Sequence, residues 1–228
     1  MHRHLVLALP ILLASCGPQS GSGVNVTEIP SQGSTTVRAD VWADNWFAFY
    51  IGEDLILEDS VPITTERSFN AESFTFNVDL PAQLNFIFKD FKENDTGLEY
   101  IGAGNQQMGD GGFIAQFYDT ASNELLAYSN SDWQCLVIHE APLDKSCEDV
   151  TGPAVGDGTC GFRRIDEPMG WMSPDFNDAY WPNAVVHTES AVSPRDGYDQ
   201  IDWDSQAQLL WGDDLETDNT LLCRTTLQ

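Results

Sequence analysis

The densest group of possible metal ligands in this sequence lies near its carboxyl end. Six aspartates fall within one acidic stretch: Asp199, Asp202, Asp204, Asp213, Asp214 and Asp218. Ca²⁺ takes about six to eight oxygen ligands, which carboxylates and loop carbonyls can supply. The spacing is not that of an EF-hand loop, because the further acid and glycine of that motif do not follow Asp204. The stretch therefore predicts either a structural Ca²⁺ site or an acidic surface in contact with water.

Aromatic side chains alternate with these acids. Tyr198, Trp203 and Trp211 stand beside them in the sequence. Exposed aromatic rings can stack on the apolar faces of sugar rings while acids and amides hold the hydroxyls. The pattern predicts a carbohydrate-binding surface, and the alternative is that these rings belong to the protein core. We expect four other tryptophans to pack in the protein interior: Trp42, Trp133, Trp171 and Trp181.

Catalytic motifs are sparse in the sequence. A Ser-His-Asp site needs a histidine, and only His139 and His187 lie outside the amino-terminal segment. His139 follows an apolar run, where a structural histidine is the commoner case. There is no Gly-x-Ser-x-Gly, phosphate-binding loop or His-Glu-x-x-His motif. Paired carboxylates for glycoside hydrolysis remain open, because their separation depends on the fold.

The charge balance is strongly acidic. Thirty-six Asp and Glu residues oppose ten Lys and Arg residues, for a net charge of −26. A surface of this kind repels nucleic acid and anionic lipid headgroups. We therefore expect no nucleic-acid partner and no direct attraction to a lipid surface.

The first sixteen residues have the pattern of an export signal. A short basic start precedes the apolar residues 5–13, a run too short to cross a bilayer as a helix. The tetrapeptide Leu13-Ala14-Ser15-Cys16 resembles the lipobox of bacterial lipoproteins. The resemblance implies a signal peptide over residues 1–15 and a lipidated Cys16 that anchors the protein to the membrane. No Asp follows Cys16, which by the same resemblance favours the outer membrane of the cell envelope over the inner membrane.

The other four cysteines agree with export. Cys135, Cys147, Cys160 and Cys223 form an even set, which in an oxidising compartment predicts two disulfides. Four cysteines allow three pairings, and the sequence does not choose among them. The absence of a CxxC motif argues against a zinc site.

Segment boundaries follow from composition. Residues 16–36 are rich in Gly, Ser, Gln and Thr, which predicts a flexible tether. Residues 37–228 are long enough for a single domain with one core. Alternation of apolar and polar residues in 74–80 and 84–89 predicts strands, and further short strands are predicted at 46–51, 113–118, 125–128, 133–138, 184–187, 208–211 and 220–224. The only helix-like stretch is 204–210. The pattern predicts an all-β sandwich or barrel.

Three segments resemble the galactose-binding-domain-like jelly rolls. Residues 42–52 (WADNWFAFYIG) resemble an early strand and turn of that family, and residues 171–184 (WMSPDFNDAYWPNA) resemble a later segment whose aromatics pack while its acids organise a loop. Residues 111–116 and 131–133 lie between them in the same order as in the family. The chain departs from the family where Ile51-Gly52-Glu53 replaces an Asn-Gly turn, and where residues 140–168 form an insertion with two cysteines. The resemblance implies a jelly-roll β-sandwich that binds ligands with the loops at one end.

Together these features predict a lipid-anchored, non-catalytic binding protein outside the cytoplasm. Its ligand would be a carbohydrate or a protein partner. The alternatives are a lipoprotein that binds Ca²⁺ or a transition metal, and an accessory glycan hydrolase.

Overall fold

Two packed β-sheets form most of the structure, a computed structural model that describes residues 25–228. The strands among these residues are β1 (Val26–Glu28), β2 (Thr35–Asp44), β3 (Trp46–Ile51), β4 (Asp54–Glu58), β5 (Ala71–Val78), β6 (Ala82–Lys89), β7 (Leu98–Glu99), β8 (Gln107–Met108), β9 (Gly112–Asp119), β10 (Leu125–Tyr128), β11 (Gln134–Glu140), β12 (Arg163–Arg164), β13 (Val185–His187), β14 (Leu209–Trp211) and β15 (Asp218–Leu227). The first sheet has the order β1-β5-β2-β9-β14-β13, and β10 also pairs with β9. The second sheet has the order β12-β11-β15-β6-β3-β4, while β7 and β8 form a separate hairpin. The predicted all-β sandwich is confirmed.

Phenylalanine rings from both sheets fill the space between them. On β6 the inward positions alternate with outward ones, so that Phe86 and Phe88 are fully buried. The Phe88 ring stacks on Phe113 of the opposite sheet with centroids 3.7 Å apart, and Phe86 stacks on Phe49 at 4.7 Å. Each buried ring of this size contributes about 1.5–3 kcal/mol relative to an exposed one. This core fixes how the strand ends, and therefore the loops, are placed.

The predicted helix over residues 204–210 is wrong. The Asp204 carboxylate accepts a hydrogen bond from the Gln206 backbone N–H at 2.9 Å, which closes a turn. Leu209 and Leu210 then enter β14, where Leu210 pairs with Phe113. Backbone pairing with the core strand overrides a weak helical preference. One α-helical turn occurs among the described residues, Glu189–Val192, and the Thr188 side chain caps it.

The sandwich begins earlier than the predicted boundary at residue 37. The backbone of β1 pairs with β5 in parallel, with Val26 opposite Ser73, and Thr35 already belongs to β2. Main-chain hydrogen bonds do not depend on apolar side chains, so a polar segment can add to a sheet edge. Val26–Glu28 thus add a strand to the edge of the first sheet, and Thr35 and Thr36 belong to β2 inside that sheet. The predicted signal peptide, Cys16 and the first part of the predicted tether lie outside the described residues.

Two disulfides are present, as predicted. Cys135 bonds to Cys223 across the neighbouring strands β11 and β15, and Cys147 bonds to Cys160 within the predicted insertion. The second bridge packs against Leu98 of the β7–β8 hairpin. The insertion is therefore fastened to the hairpin that carries Glu99, a residue of the site described below.

Candidate functional site

The loops at one end of the sandwich form a polar cleft. At this end β2 and β6 finish, and β5, β9 and β15 begin. The cleft has a volume of about 440 Å³. We call it the acid cleft and define it by six of its lining residues: Asp44, Glu66, Glu99, Tyr100, Asp110 and Arg195.

Asp44 forms the floor of the acid cleft. It is the last residue of β2, pairs with Gly112 of β9, and is only 3% exposed. Its Oδ1 atom has no hydrogen-bond partner among the described residues. Burial, followed by the charges of Asp90 and Asp110, raises the pKa of this carboxyl well above its usual value. An unpartnered buried carboxylate oxygen is costly, so the Asp44 side chain lowers the stability of the fold unless it holds a proton or meets a donor.

Asp90, whose charge acts on Asp44, is also 3% exposed. It follows β6, and neither of its carboxylate oxygens makes a well-formed hydrogen bond within the described residues. Burial and the charges of Glu99 and Asp110 raise its pKa well above the usual value. Gly109 packs directly on this carboxylate, because a Cβ atom there would lie 1.9 Å from Oδ2 of Asp90. The loop before β9 is therefore shaped around the Asp90 side chain.

Glu99 reaches the acid cleft from the short strand β7. It is buried, and its Oε2 atom accepts a hydrogen bond of 2.8 Å from the Gln107 amide on β8. Burial raises the pKa of Glu99 to about 7, although the Gln107 hydrogen bond acts in the opposite direction. The nearby Asp110 carboxyl also has a raised pKa, chiefly from burial, and the positive charge of Arg195 offsets part of this effect. Glu99 can thus hold or release a proton near neutral pH.

The rim of the acid cleft is held by Glu66. Its carboxylate accepts a hydrogen bond from the Tyr100 hydroxyl and lies 3.4 Å from the Arg67 guanidinium. The Asn45 amide donates to the Glu66 carbonyl oxygen at 2.9 Å, which ties this loop to the start of β3. Arg195, by contrast, makes no ion pair within 4.0 Å among residues 25–228. The rim therefore combines a fixed aromatic ring with an arginine that has no close acidic partner.

The six aspartates predicted as metal ligands do not converge on one point. Asp199, Asp202 and Asp213 are exposed, and Asp204 is partly buried beside Tyr118. Asp214 pairs with Lys145 at 2.7 Å, and the same lysine contacts Glu216. Asp218 is buried, and its Oδ2 atom accepts from the Asp214 backbone N–H at 3.0 Å. In the part of the chain that the structure describes, no three His, Cys, Asp or Glu side chains are grouped to hold a metal ion.

The three predicted sugar-stacking aromatics are not a shared platform. Trp211 is fully buried, and its Nε1 donates to the Asp218 carbonyl oxygen at 2.7 Å, so its assignment to the ligand surface is corrected to the core. Tyr198 and Trp203 are partly buried and pack together with centroids 5.8 Å apart, and Tyr198 also contacts Trp42 edge-on. The alternation of these aromatic residues with acids in the sequence suggested that the rings are exposed. In the structure Trp211 is buried, and Tyr198 and Trp203 pack against the cluster that contains Trp42.

His139 lies apart from the acid cleft lining. Its Nε2 is 3.0 Å from Oδ1 of Asp95, and its Nδ1 is 3.0 Å from Oδ1 of Asn219. Burial, followed by the positive charge of Lys92, lowers the pKa of the imidazole. No serine nucleophile contacts this ring in the hydrogen bonds of the described residues.

The sequence reasoning missed the residues of the acid cleft. Asp44 and Asp90 flank predicted strands, at 46–51 and 84–89, and their common position at one end of both sheets was the available signal. Glu99, Tyr100 and Arg195 lie in segments without strand or motif patterns, so only the fold brings them together.

No helix within residues 25–228 is both long and apolar enough to cross a membrane. Neither a protein-family model, nor a curated protein, nor a solved structure matches this chain.

Proposed function

We propose that this protein is a lipid-anchored lipoprotein of the bacterial cell envelope that binds a carbohydrate in the acid cleft. The observation that carries this proposal is the cleft itself, a polar cavity of about 440 Å³ formed by loops at one end of a β-sandwich. Its volume falls within the range of small-molecule sites, about 300–1,000 Å³. The likeness to jelly-roll binding domains adds the expectation that the loops at one end bind the ligand.

The lining of the acid cleft suits a sugar. Tyr100 and Phe69 provide aromatic surface, while Asn105 and Gln107 provide amides that can hydrogen-bond to hydroxyls. The Glu66 hydrogen bond fixes the Tyr100 ring, which lowers the entropy lost when a ligand binds. We therefore propose the acid cleft as the sugar-binding surface, in place of the surface formed by Tyr198, Trp203 and Trp211 that the sequence predicted.

A glycan array tests this proposal with the full-length protein, purified in detergent. We expect selective binding to one class of glycan, and loss of that binding in Tyr100→Ala. The matched control is Tyr180→Ala, because Tyr180 is 89% exposed and is not part of the acid cleft lining. Absence of binding to any glycan would contradict the proposal. If Tyr100→Ala still bound the glycan, the glycan would bind at a surface other than the acid cleft.

The anchor is tested separately with Cys16→Ser. Without the thiol the lipid cannot be attached, so the protein should move from the membrane fraction to the soluble fraction. A variant that stays in the membrane fraction would contradict a lipid anchor at Cys16. The glycan-binding result does not depend on this outcome.

A second candidate function is glycan hydrolysis, favoured by one observation. Glu99, with its pKa raised to about 7, shares the acid cleft with Asp44 and Asp110. A carboxyl that is protonated near neutral pH can act as a general acid while a second carboxylate acts as base or nucleophile. Release of reducing ends from a bound glycan, lost in Glu99→Gln, would favour the hydrolase. Binding without release of reducing ends would exclude it.

A further inference from the structure

We infer that the ligand of the acid cleft carries a protonated amine, and that the Asp44 carboxylate binds it. For a carbohydrate this means an amino sugar whose nitrogen is free rather than acetylated. The inference rests on the proposed function, because it names the class of ligand for that same site.

The balance of charge in the acid cleft favours a cation. Five acidic side chains and two basic ones line it: Asp44, Glu66, Glu99, Asp110, Asp196, Arg67 and Arg195. Arg67 is already paired with Glu66. Arg195 is near enough to lower the pKa of Asp44 and of Asp110, yet it forms no close ion pair with either. The basic side chains of the cleft therefore do not balance its acids, and the raised pKa values of Asp44, Glu99 and Asp110 show that negative charge is unfavourable there without a cation.

The unpartnered oxygen of Asp44 is the second, independent observation. The residue is 3% exposed, lines the cleft, and leaves Oδ1 without a donor from any described residue. The buried Asp90 carboxyl, whose charge raises the pKa of Asp44, is an acid and supplies no positive charge to it. A buried carboxylate in this position is strongly stabilised by a charged donor that enters from the cleft.

The arrangement suits an ammonium group better than a metal ion. Ca²⁺ needs about six to eight oxygen ligands, and no three acidic, histidine or cysteine side chains within the described residues are grouped to hold an ion. The Glu66 and Glu99 carboxylates are partly used by Tyr100 and Gln107. An ammonium group has three donors and can be held by one carboxylate and two neutral acceptors. Amide oxygens of Asn105 and Gln107 line the same cleft.

The test compares two oligosaccharides that differ only at nitrogen. The full-length protein in detergent is titrated calorimetrically with a β-1,4-linked glucosamine tetramer and with its fully N-acetylated counterpart, at several pH values between about 5 and 8. Because burial raises the pKa of the Asp44 carboxyl, the amine has to displace a proton from it at the lower pH values. We expect the amine form to bind at least about tenfold more tightly, as one charged hydrogen bond in a buried site would give. Asp44→Asn should abolish this preference. Asp213→Asn, at an exposed aspartate outside the acid cleft, is the matched control and should keep it.

A second variant is included because Asp44 is buried and Asp44→Asn can fail to fold. Asp110 lies at the exposed edge of the acid cleft, so Asp110→Asn should fold and should lose part of the amine preference. Circular dichroism and Tm establish the fold of each variant before titration.

Each outcome separates the inference from the proposed function. Equal or tighter binding of the N-acetylated tetramer overturns the inference and leaves carbohydrate binding intact. An amine preference that survives in Asp44→Asn with native fold also overturns the role of Asp44. Displacement of the amine tetramer by Ca²⁺ at low concentration would make the acid cleft a metal site and overturn the inference. If neither tetramer binds, the inference fails, and the glycan array decides the proposed function independently.

Discussion

The guanidinium of Arg224 lies 3.1 Å from the Asp178 carboxylate, although Arg224 is on the sheet and Asp178 is on the segment that covers it. The same side chain is 1% exposed and donates to the carbonyl oxygens of Ser173 and Phe176. It also donates to Oδ1 of Asn85 on the neighbouring strand. One side chain thus fastens the aromatic segment that contains Trp171 and Trp181 to the outer face of the second sheet.

Replacement of this arginine is expected to destabilise the protein strongly. Arg224→Met removes every side-chain donor and leaves a shorter, unbranched apolar side chain, and it should lower the free energy of unfolding by about 2–5 kcal/mol. The matched control is Arg67→Met, because the Arg67 side chain is 81% exposed and should cost about 0.5 kcal/mol or less. Urea denaturation followed by tryptophan fluorescence measures both variants. Equal costs would show that the Arg224 network does not hold the segment.

The buried carboxyls predict that the protein is more stable at mildly acidic than at alkaline pH. The pKa is raised to about 7 for Asp59 and Glu99 and to about 6 for Asp218, and it is raised well above the usual value for Asp44 and Asp90. Because these five carboxyls bind protons more tightly in the folded state than in the unfolded state, their contribution to stability is fully present below about pH 4. For Asp218, Asp59 and Glu99 it is lost as the pH rises through about 6 to 7. We expect Tm to fall by several degrees between about pH 5 and pH 8. A Tm that rises over this range would contradict these pKa shifts.

Asp59 provides a direct test of this linkage. Burial is the largest cause of its raised pKa, and the neutral Asp59→Asn side chain does not titrate. The variant should therefore lose less Tm than the parent protein between about pH 5 and pH 8. Asp79→Asn is the matched control, because Asp79 is exposed and hydrogen bonds from Ser34 lower its pKa, which places its effect below pH 4. If Tm of Asp59→Asn fell with pH as much as that of the parent protein, Asp59 would not contribute to the pH dependence of stability.

Gly109 is expected to tolerate no side chain. A Cβ atom at this position would lie 1.9 Å from Oδ2 and 2.7 Å from Cγ of Asp90, a side chain that is buried and cannot swing into solvent. Gly109→Ala should cost about 1–3 kcal/mol of stability. Gly104→Ala is the matched control, because nothing lies within 4 Å of a Cβ atom there. Thermal denaturation compares the two, and an equally small change in both would show that the loop moves freely away from Asp90.

The two disulfides should differ in their contribution to stability. Cys135 and Cys223 are 88 residues apart in sequence, whereas Cys147 and Cys160 are 13 apart. In the chain-entropy account, closing the longer loop contributes about 4–5 kcal/mol and the shorter one about 3 kcal/mol. Unfolding in urea of the double variants Cys135→Ala/Cys223→Ala and Cys147→Ala/Cys160→Ala checks this order. The reverse order would show that local contacts of the insertion outweigh loop length.

The all-β architecture could be predicted from sequence because most strands have one face in the core. Phe86 and Phe88 alternate with outward residues, and this period directly reflects which side is buried. The number of disulfides followed from an even cysteine count, but their pairing did not, because it depends on which strands are neighbours. The helix at residues 204–210 was predicted wrongly because the helical preference of a short stretch of sequence contains no information about its strand partner. In the structure Leu210 pairs with Phe113.

The candidate site was harder to predict than the fold. The sequence drew attention to Asp199, Asp202 and Asp213, which are close together in the chain and are exposed. Asp44 and Glu99 are 55 positions apart and meet only because β2 ends where the β7–β8 hairpin packs. The number of acids in a stretch of sequence therefore predicts a site less well than the burial of individual acids does. Burial is known only once the fold is known.

The place of β15 in the second sheet has a consequence for the order of folding. This strand covers Asp218–Leu227, yet it lies between β11 and β6 and contributes one half of the Cys135–Cys223 bridge. Before residues 218–227 are available, β11 can pair only with β12, and β6 can pair only with β3. Because pairing of segments that are distant in sequence is slow, the two halves of the second sheet join only when β15 enters between β11 and β6. β15 is therefore the strand whose arrival completes the second sheet and brings Cys223 beside Cys135.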